Sequence, residues 1–276
     1  MDPYALLPVV LTVVFGIAAG TIGTLLGLGG GVFLVPALVL VVGVPFKTAA
    51  AVSLAAVIAT SSAVSATRAG QHLINLRLGM VLEVATAAGG LAGGLTAQML
   101  PPSVLTRLFG LVAIAIGIVT LTRLRHTNAL PEGDNEPGRL GGSYPDETIG
   151  QVVTYRVKRM PVAIAASFVA GNVSSLLGVG GGFIKVPVLN AWCGVPLRAA
   201  AATSAFMIGV TASSGAMIYY GHGDMQPQLA AAAVIGVEMG SAAGFRLAVR
   251  LRGAWLKLLL AAVLFVVAAL MLMRTA

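Results

Sequence analysis

Two triglycine runs, Gly29–Gly31 and Gly180–Gly182, carry the clearest chemical signal in this 276-residue chain. The first lies in Gly27-Leu28-Gly29-Gly30-Gly31-Val32-Phe33-Leu34-Val35-Pro36, and the second in Gly178-Val179-Gly180-Gly181-Gly182-Phe183-Ile184-Lys185-Val186-Pro187, an offset of 151 positions. Each helical glycine costs roughly 1 kcal/mol relative to alanine, so three in succession favour a break. A break frees N–H groups at a new helix N-terminus, which bears about half a positive charge and attracts anions without a fixed cation. Polar residues precede both runs: Thr21 and Thr24 before the first, Asn172, Ser174 and Ser175 before the second. Lys185 stands where the first copy has Leu34, so it either meets an anion beside the break or snorkels to an interface. Ser53 and Ser204, Thr60 and Thr211, and Ser62 and Ser213 correspond across the offset and could donate to oxyanion oxygens, with Ser53 and Ser204 preferred. Hydroxyls also bond back to their own helix carbonyls. Glu83 and Glu238 could relay a proton, or pair with Arg77 or Arg246.

The elements that position these residues belong in a bilayer. The composition is 58% hydrophobic and 9% charged, with a mean hydropathy of +0.96. Soluble domains are about 25% charged, so much of this surface must face lipid. A spanning helix needs about 20 apolar residues. Apolar segments are expected at 5–26, 27–44, 48–67, 78–99 and 104–122, then at 161–177, 178–195, 199–220, 228–249 and 254–273. The first is expected as a retained helix, because Met1-Asp2-Pro3-Tyr4 lacks a basic n-region. Segments 27–44 and 178–195 are short and hold a central Pro36 or Pro187, which leaves crossing and re-entrant readings open. Loop charge favours ten crossings: Arg68, Arg77, the central loop, Arg198 and Arg250/Arg252/Lys257 then share one side, against Lys47 on the other. The net charge of +8 is read in the same way. Five segments per half put the two repeats in opposite orientation. The expected fold is all-α and polytopic: a first repeat over 1–122, a cytoplasmic linker over 123–160 and a second repeat over 161–276. Pro131–Gly138 within the linker is too polar to order itself, and Tyr155–Arg159 is expected at the inner leaflet. Glycines spaced by four, such as Gly16/Gly20, Gly89/Gly93 and Gly236/Gly240/Gly244, suit close helix packing.

Several chemistries are excluded. The cassettes are not dinucleotide fingerprints, since Val32 and Phe183 occupy the third glycine position, and no phosphate-binding P-loop occurs. Cys193 is the single cysteine, and His72, His126 and His222 form no ligand pair, so no metal or cofactor is expected. Gly240-Ser241-Ala242-Ala243-Gly244 has the wrong spacing for a nucleophile elbow. Neither an enzyme nor a nucleic-acid binder is expected.

The duplicated L-G-x-G-G-G-x-x-x-V-P cassette, at Leu26–Pro36 and Leu177–Pro187, resembles the TauE/SafE sulfite-exporter family. The following Gly43–Pro45 and Gly194–Pro196 strengthen the match, which covers nearly everything but the linker. The resemblance implies a bacterial inner-membrane permease for small sulfur-containing anions: sulfite, thiosulfate, sulfoacetate or related organosulfonates. The expected substrate site, from the residues themselves, comprises Gly29, Gly30, Gly31, Gly180, Gly181, Gly182, Ser53, Ser204, Asn172, Thr24, Ser175 and Lys185, with Glu83 and Glu238 for proton coupling. Transport is expected by alternating access at the repeat interface. A channel-like anion pore and a proton-coupled uptake permease are the alternatives. The implied partners are a small anionic solute and the lipid bilayer, with a homo-oligomer allowed. With the cell interior negative, an anion leaves downhill by about 2.3 kcal/mol per charge per 100 mV and needs no coupling ion.

Overall fold

A computed structural model describes residues 3–26, 30–69, 73–122, 138–146, 151–248 and 253–274. Its elements are α1 (Pro3–Leu26), α2 (Gly31–Ala37), α3 (Phe46–Ala69), α4 (Leu76–Met99), α5 (Pro102–Thr122), β1 (Gly142–Asp146), β2 (Gln151–Tyr155), α6 (Met160–Leu177), α7 (Gly182–Ala191), α8 (Leu197–Gly221), α9 (Pro227–Ala248) and α10 (Gly253–Met273). Each expected segment has a helix within a few residues of its bounds. Among the described residues, α1, α3, α4, α5, α6 and α8 are long and apolar enough to cross a membrane.

Both cassettes separate helices. Glycine is needed at the second break because Gly178 and Gly180 hold φ of +71° and +81°, the left-handed region that strains other residues. In the first break, Gly27, Leu28 and Gly29 lie outside the described residues. The helices that follow are short. The 10 residues of α7 rise about 15 Å, half the hydrocarbon core. The 7 residues of α2 continue as a π-helical turn over Leu38–Val42. That turn leaves the Val39 carbonyl to accept from the Arg274 guanidinium.

The local wiring repeats at the cassette offset. Phe33 N and Leu34 N donate to Gly30 O, as Ile184 N and Lys185 N donate to Gly181 O. Val44 N bonds Leu38 O, as Val195 N bonds Leu189 O, and Gly43 and Gly194 share a left-handed φ. Packing repeats too. A Cβ on Gly20 would lie 2.3 Å from Val237 O, and one on the matching Gly171 would lie 2.1 Å from the matching Thr86 O. Likewise Gly240 abuts Ile17 O, and Gly89 abuts Phe168 O, both at 2.1 Å. Small residues there let backbones touch, and α1 packs along α9 as α6 packs along α4.

Contacts also set helix direction. Gly79 faces Thr203 and Phe206 while Gly94 faces Ile218, so α4 and α8 run parallel. Ser61 Oγ donates to Ala205 O, whereas Leu54 reaches Gly215, so α3 and α8 run antiparallel. Gly110 meets Ala268 and Leu272, and Gly117 meets Phe265, so α5 and α10 are antiparallel as well.

One feature departs from an all-helical chain. Within 123–160, β1 and β2 form an antiparallel hairpin, pairing Gly142 with Tyr155 and Tyr144 with Val153. Tyr144 and Tyr155 are buried beside Leu78, Leu82, Val186, Leu189 and Met207. Tyr155 therefore does not lie on the leaflet surface as expected. Its ring anchors the hairpin, while Arg156, Lys158 and Arg159 stay exposed. Burial raises the Tyr155 phenol above its ordinary value, so it stays neutral as a hydrogen-bond partner. Asn75 ties the parts together. Its Oδ1 caps α4 by accepting from Leu78 N at 3.0 Å, and its Nδ2 donates to Leu140 O at 2.9 Å and Tyr155 Oη at 3.1 Å. Its own N–H donates to Thr203 Oγ1 on α8. Of the polar run Pro131–Gly138, residues 131–137 lie outside the described residues.

Candidate functional site

Lys185 is the chemical centre. It sits one turn into α7, directly after the second break, and is 1% exposed. Its Nζ donates to Thr211 Oγ1 on α8 at 3.3 Å. Thr211 Oγ1 in turn lies 3.3 Å from Glu83 Oε1 on α4 and 2.9 Å from Met207 O, to either of which its one proton can go. Cation, hydroxyl and carboxylate thus form a chain across three elements. Lys185 and Glu83 make no direct ion pair among the described residues. Removing an ammonium from water costs several kcal/mol, and a hydroxyl at 3.3 Å offsets little of it. Glu83 is left with Oε2 buried and without a hydrogen-bond partner among the described residues.

A second hydroxyl lies nearby. Ser175 Oγ occupies a slot between glycines: a Cβ on Gly215 would lie 2.3 Å from it, and one on Gly90 would lie 3.0 Å from it and 3.1 Å from Thr211 O. Neither Ser175 Oγ nor Ser174 Oγ has a partner among the described residues, although both serines are fully buried. Buried hydroxyls normally find partners, so such a pair invites a ligand or water. The other half differs. Thr24, the counterpart of Ser175, donates to Ser241 Oγ at 2.9 Å. The counterpart of Ser241 is Gly90, which has no side chain to offer.

The symmetry-related positions on α2, α3 and α9 lack the charged chain. Leu34, Thr60 and Val234 match Lys185, Thr211 and Glu83 in sequence, and among the described residues Thr60 bonds to the Ala56 and Val57 carbonyls of its own helix. The two sets of helices share a scaffold, and the charged chain sits where α4 of the first half meets α7 and α8 of the second.

The other expected residues are placed as follows. Gly30, Gly31, Gly180, Gly181 and Gly182 are buried at the breaks, and Gly29 lies outside the described residues. Gly30 and Gly181 press on the Ala19 and Ala170 backbones, so they also serve close packing. Ser53 Oγ donates to Gly178 O at 2.7 Å, joining α3 to the second break. Ser204 Oγ has no partner among the described residues, and the carbonyl that symmetry would offer it, that of Gly27, lies outside them. Asn172 turns its backbone onto Gly89 and Gly93. Glu238 is away from this centre, sharing a face of α9 with the exposed Ile235 and Met239. Neither Glu83 nor Glu238 pairs with Arg77 or Arg246 among the described residues. Ser62 and Ser213 bond back to Ile58 O and Gly209 O. No group of His, Cys, Asp and Glu able to hold a metal occurs among the described residues.

Lys185, Glu83 and Thr211 are separate candidates in the sequence, and the fold joins them. The available signal was repeat asymmetry, since both charges replace apolar residues of the matching half. The hairpin anchors Tyr144 and Tyr155 and the tie at Asn75 have no comparable signal in the sequence.

Hydrogen bonds tie elements together at both ends of the helices around the charged centre. The hairpin covers the ends where α4 and α8 begin. At the opposite end Lys47 Nζ donates to Gln98 O at 3.0 Å, and Gln98 Nε2 donates to Asp224 Oδ2 at 2.7 Å. A buried charged centre between apolar helices suits a protein that handles a polar solute within a membrane.

Comparison with known proteins agrees in kind. The chain is 27% identical over 242 residues to a protein of Bacillus subtilis (strain 168) described as "Probable membrane transporter protein YunE", covering 85% of this chain and 86% of that one. It is 24% identical over 215 residues to "Probable membrane transporter protein MJ0441" of Methanocaldococcus jannaschii, covering 76% and 71%. No solved structure matches the chain. The profile of the family described as "Sulfite exporter TauE/SafE" matches residues 12–271, nearly the whole sequence, and the chain is therefore a multi-pass membrane protein belonging to the TauE/SafE family of transporters.

Proposed function

We propose that this protein carries a small sulfur oxyanion or organosulfonate, such as sulfite, thiosulfate or sulfoacetate, outward across a bacterial plasma membrane, and that Lys185 is the group that holds it. The observation that carries this reading is a fully buried ammonium whose hydrogen bond is to the hydroxyl of Thr211, with Ser175 Oγ, which has no partner among the described residues, near the Thr211 backbone. An entering oxyanion would accept from Lys185 Nζ, Thr211 and Ser175, giving the cation a partner and the hydroxyls acceptors. The glycine breaks keep α7 short enough to bring Lys185 to mid-depth, and Gly182 and Phe183 add free N–H groups at its start.

The two halves are proposed to be inverted repeats of five segments, 1–122 and 161–276. Support comes from the hydrogen bonds repeated at the cassette offset and from the antiparallel packing of α3 on α8 and α5 on α10. In this arrangement 27–44 and 178–195, which hold the short helices α2 and α7, cross the bilayer, making ten crossings. The hairpin side is proposed to be cytoplasmic, because exposed Arg77, Arg139, Arg156, Lys158, Arg159 and Arg198 lie there. Transport then proceeds by rocking of the halves, opening the Asn75–Tyr155 end and the Lys47–Gln98–Asp224 end in turn.

The test is flux of radiolabelled sulfite and of methanesulfonate from liposomes containing the purified protein. Saturable flux is expected, lost in Lys185→Leu, which installs the residue of the first repeat. Undiminished flux in that variant would remove Lys185 from the site.

A further inference from the structure

The charges around Lys185 carry a consequence for what travels with the anion. With no solute bound, Lys185 and Glu83 balance each other through the Thr211 hydroxyl, across two links of 3.3 Å. A monovalent anion seated at Lys185 would make two negative charges against one positive in a buried place. An uncompensated buried charge is strongly unfavourable. On the described helices α4, α6, α7 and α8, no other ionisable group is placed to supply the missing positive charge. The helix α6, packed on α4, carries no ionisable side chain within its 18 residues. On α8, Arg198 lies 13 residues before Thr211, about 20 Å along the helix, and Tyr219 and Tyr220 lie two turns beyond it. On α4 itself, Arg77 is exposed at the first turn. On α7, Lys185 is the single charged residue.

Resting on the anion reading above, we propose that Glu83 is a displaceable counter-ion: the solute anion takes its place beside Lys185, and Glu83 takes up one proton as the anion binds. The proton has somewhere to go, because Glu83 Oε2 has no partner among the described residues, and as a carboxylic acid Glu83 can still accept from Thr211 through Oε1. Release reverses the step. The anion departs, the proton leaves, and the Lys185–Thr211–Glu83 chain re-forms, which keeps the empty carrier neutral inside while it reorients. The transported unit is a monoanion plus a proton, with no net charge. Flux of a monovalent sulfonate then answers to solute and pH gradients and is insensitive to voltage. This revises the expectation that membrane potential alone drives the anion out. Glu238, the other carboxylate weighed from sequence, has no such geometry.

The experiment is calorimetric titration of the full-length purified protein with methanesulfonate, whose charge is constant across the working range, in two buffers of different ionisation enthalpy near neutral pH. The wild type is expected to take up about one proton per anion. Glu83→Gln should bind the anion with no proton uptake, and Glu83→Asp should restore it. In liposomes, Glu83→Gln should lose its response to a pH gradient and gain one to voltage. Binding heats identical in both buffers for the wild type, or proton uptake retained in Glu83→Gln, would overturn the proposal while leaving the anion site standing. Failure of methanesulfonate to bind the wild type at all would remove the site and this step together.

Discussion

At the scale of the residue, Lys185 is costly to bury and has no direct carboxylate partner among the described residues. Replacing a buried pair of opposite charges by apolar side chains is often neutral or stabilising, whereas removing one partner leaves the other uncompensated. The double variant Lys185→Leu/Glu83→Val, which installs the residues of the matching positions, should therefore keep or raise the melting temperature in detergent while lowering anion flux by roughly tenfold or more, a loss of about 1.4 kcal/mol in transition-state binding. A fall in both together would mean that the charged pair serves the fold. The companion prediction concerns Ser175. Because its hydroxyl is unpartnered among the described residues, Ser175→Ala removes no hydrogen bond from the empty protein. Melting should be nearly unchanged, and apparent anion affinity should weaken by roughly 3–10-fold, the worth of about 1 kcal/mol for one hydrogen bond. Unaltered affinity in the flux assay would place Ser175 outside the site.

At the scale of the element, the glycine contacts and the hairpin make separate predictions. A Cβ on Gly171 would lie 2.1 Å from Thr86 O and 3.1 Å from Gly90 N, both backbone, so nothing flexible can yield. Gly171→Ala should push α6 off α4 and cost about 1–3 kcal/mol, as overpacking does, read as a lower melting temperature. Gly221→Ala, with nothing within 4 Å of the added carbon, is the control. In the hairpin, Tyr155→Ala removes a buried ring and the partner of Asn75 Nδ2. Backbone amides of β2 should then exchange hydrogen faster, while those of α3 stay protected. Equal protection in the variant would mean that the hairpin is held by something other than Tyr155. Helix boundaries were legible because a bilayer imposes a length and glycine a break. The hairpin was not, because β1 and β2 are five residues each and lie in a segment whose polar stretch dominates its composition. Two tyrosines make it dock, and the surface that receives them comes from α4, α7 and α8.

At the scale of the whole molecule, duplication was legible and asymmetry was the informative remainder. An ungapped offset across the cassettes foretold hydrogen bonds and glycine contacts that recur position by position. It could not reveal that Lys185, Thr211 and Glu83 meet, because that depends on how α4, α7 and α8 converge. The same convergence gives a topology test. With Cys193 replaced by alanine, Ser143→Cys in the hairpin and His222→Cys between α8 and α9 should react with an impermeant thiol reagent from opposite faces of sealed vesicles. Reaction from the same face would contradict the packing directions of the helices and the inverted arrangement built on them.

The central claim is that a buried lysine in one half of a duplicated scaffold receives a sulfur oxyanion. The most direct measurement is an experimental structure of the full chain with selenite, a heavier analogue of sulfite, located by its anomalous scattering. The expected result is a selenium peak within hydrogen-bonding reach of Lys185 Nζ, between α4, α7 and α8, that is absent in Lys185→Leu. A peak elsewhere in the protein, with Lys185 still bonded to Thr211 alone, would contradict the account.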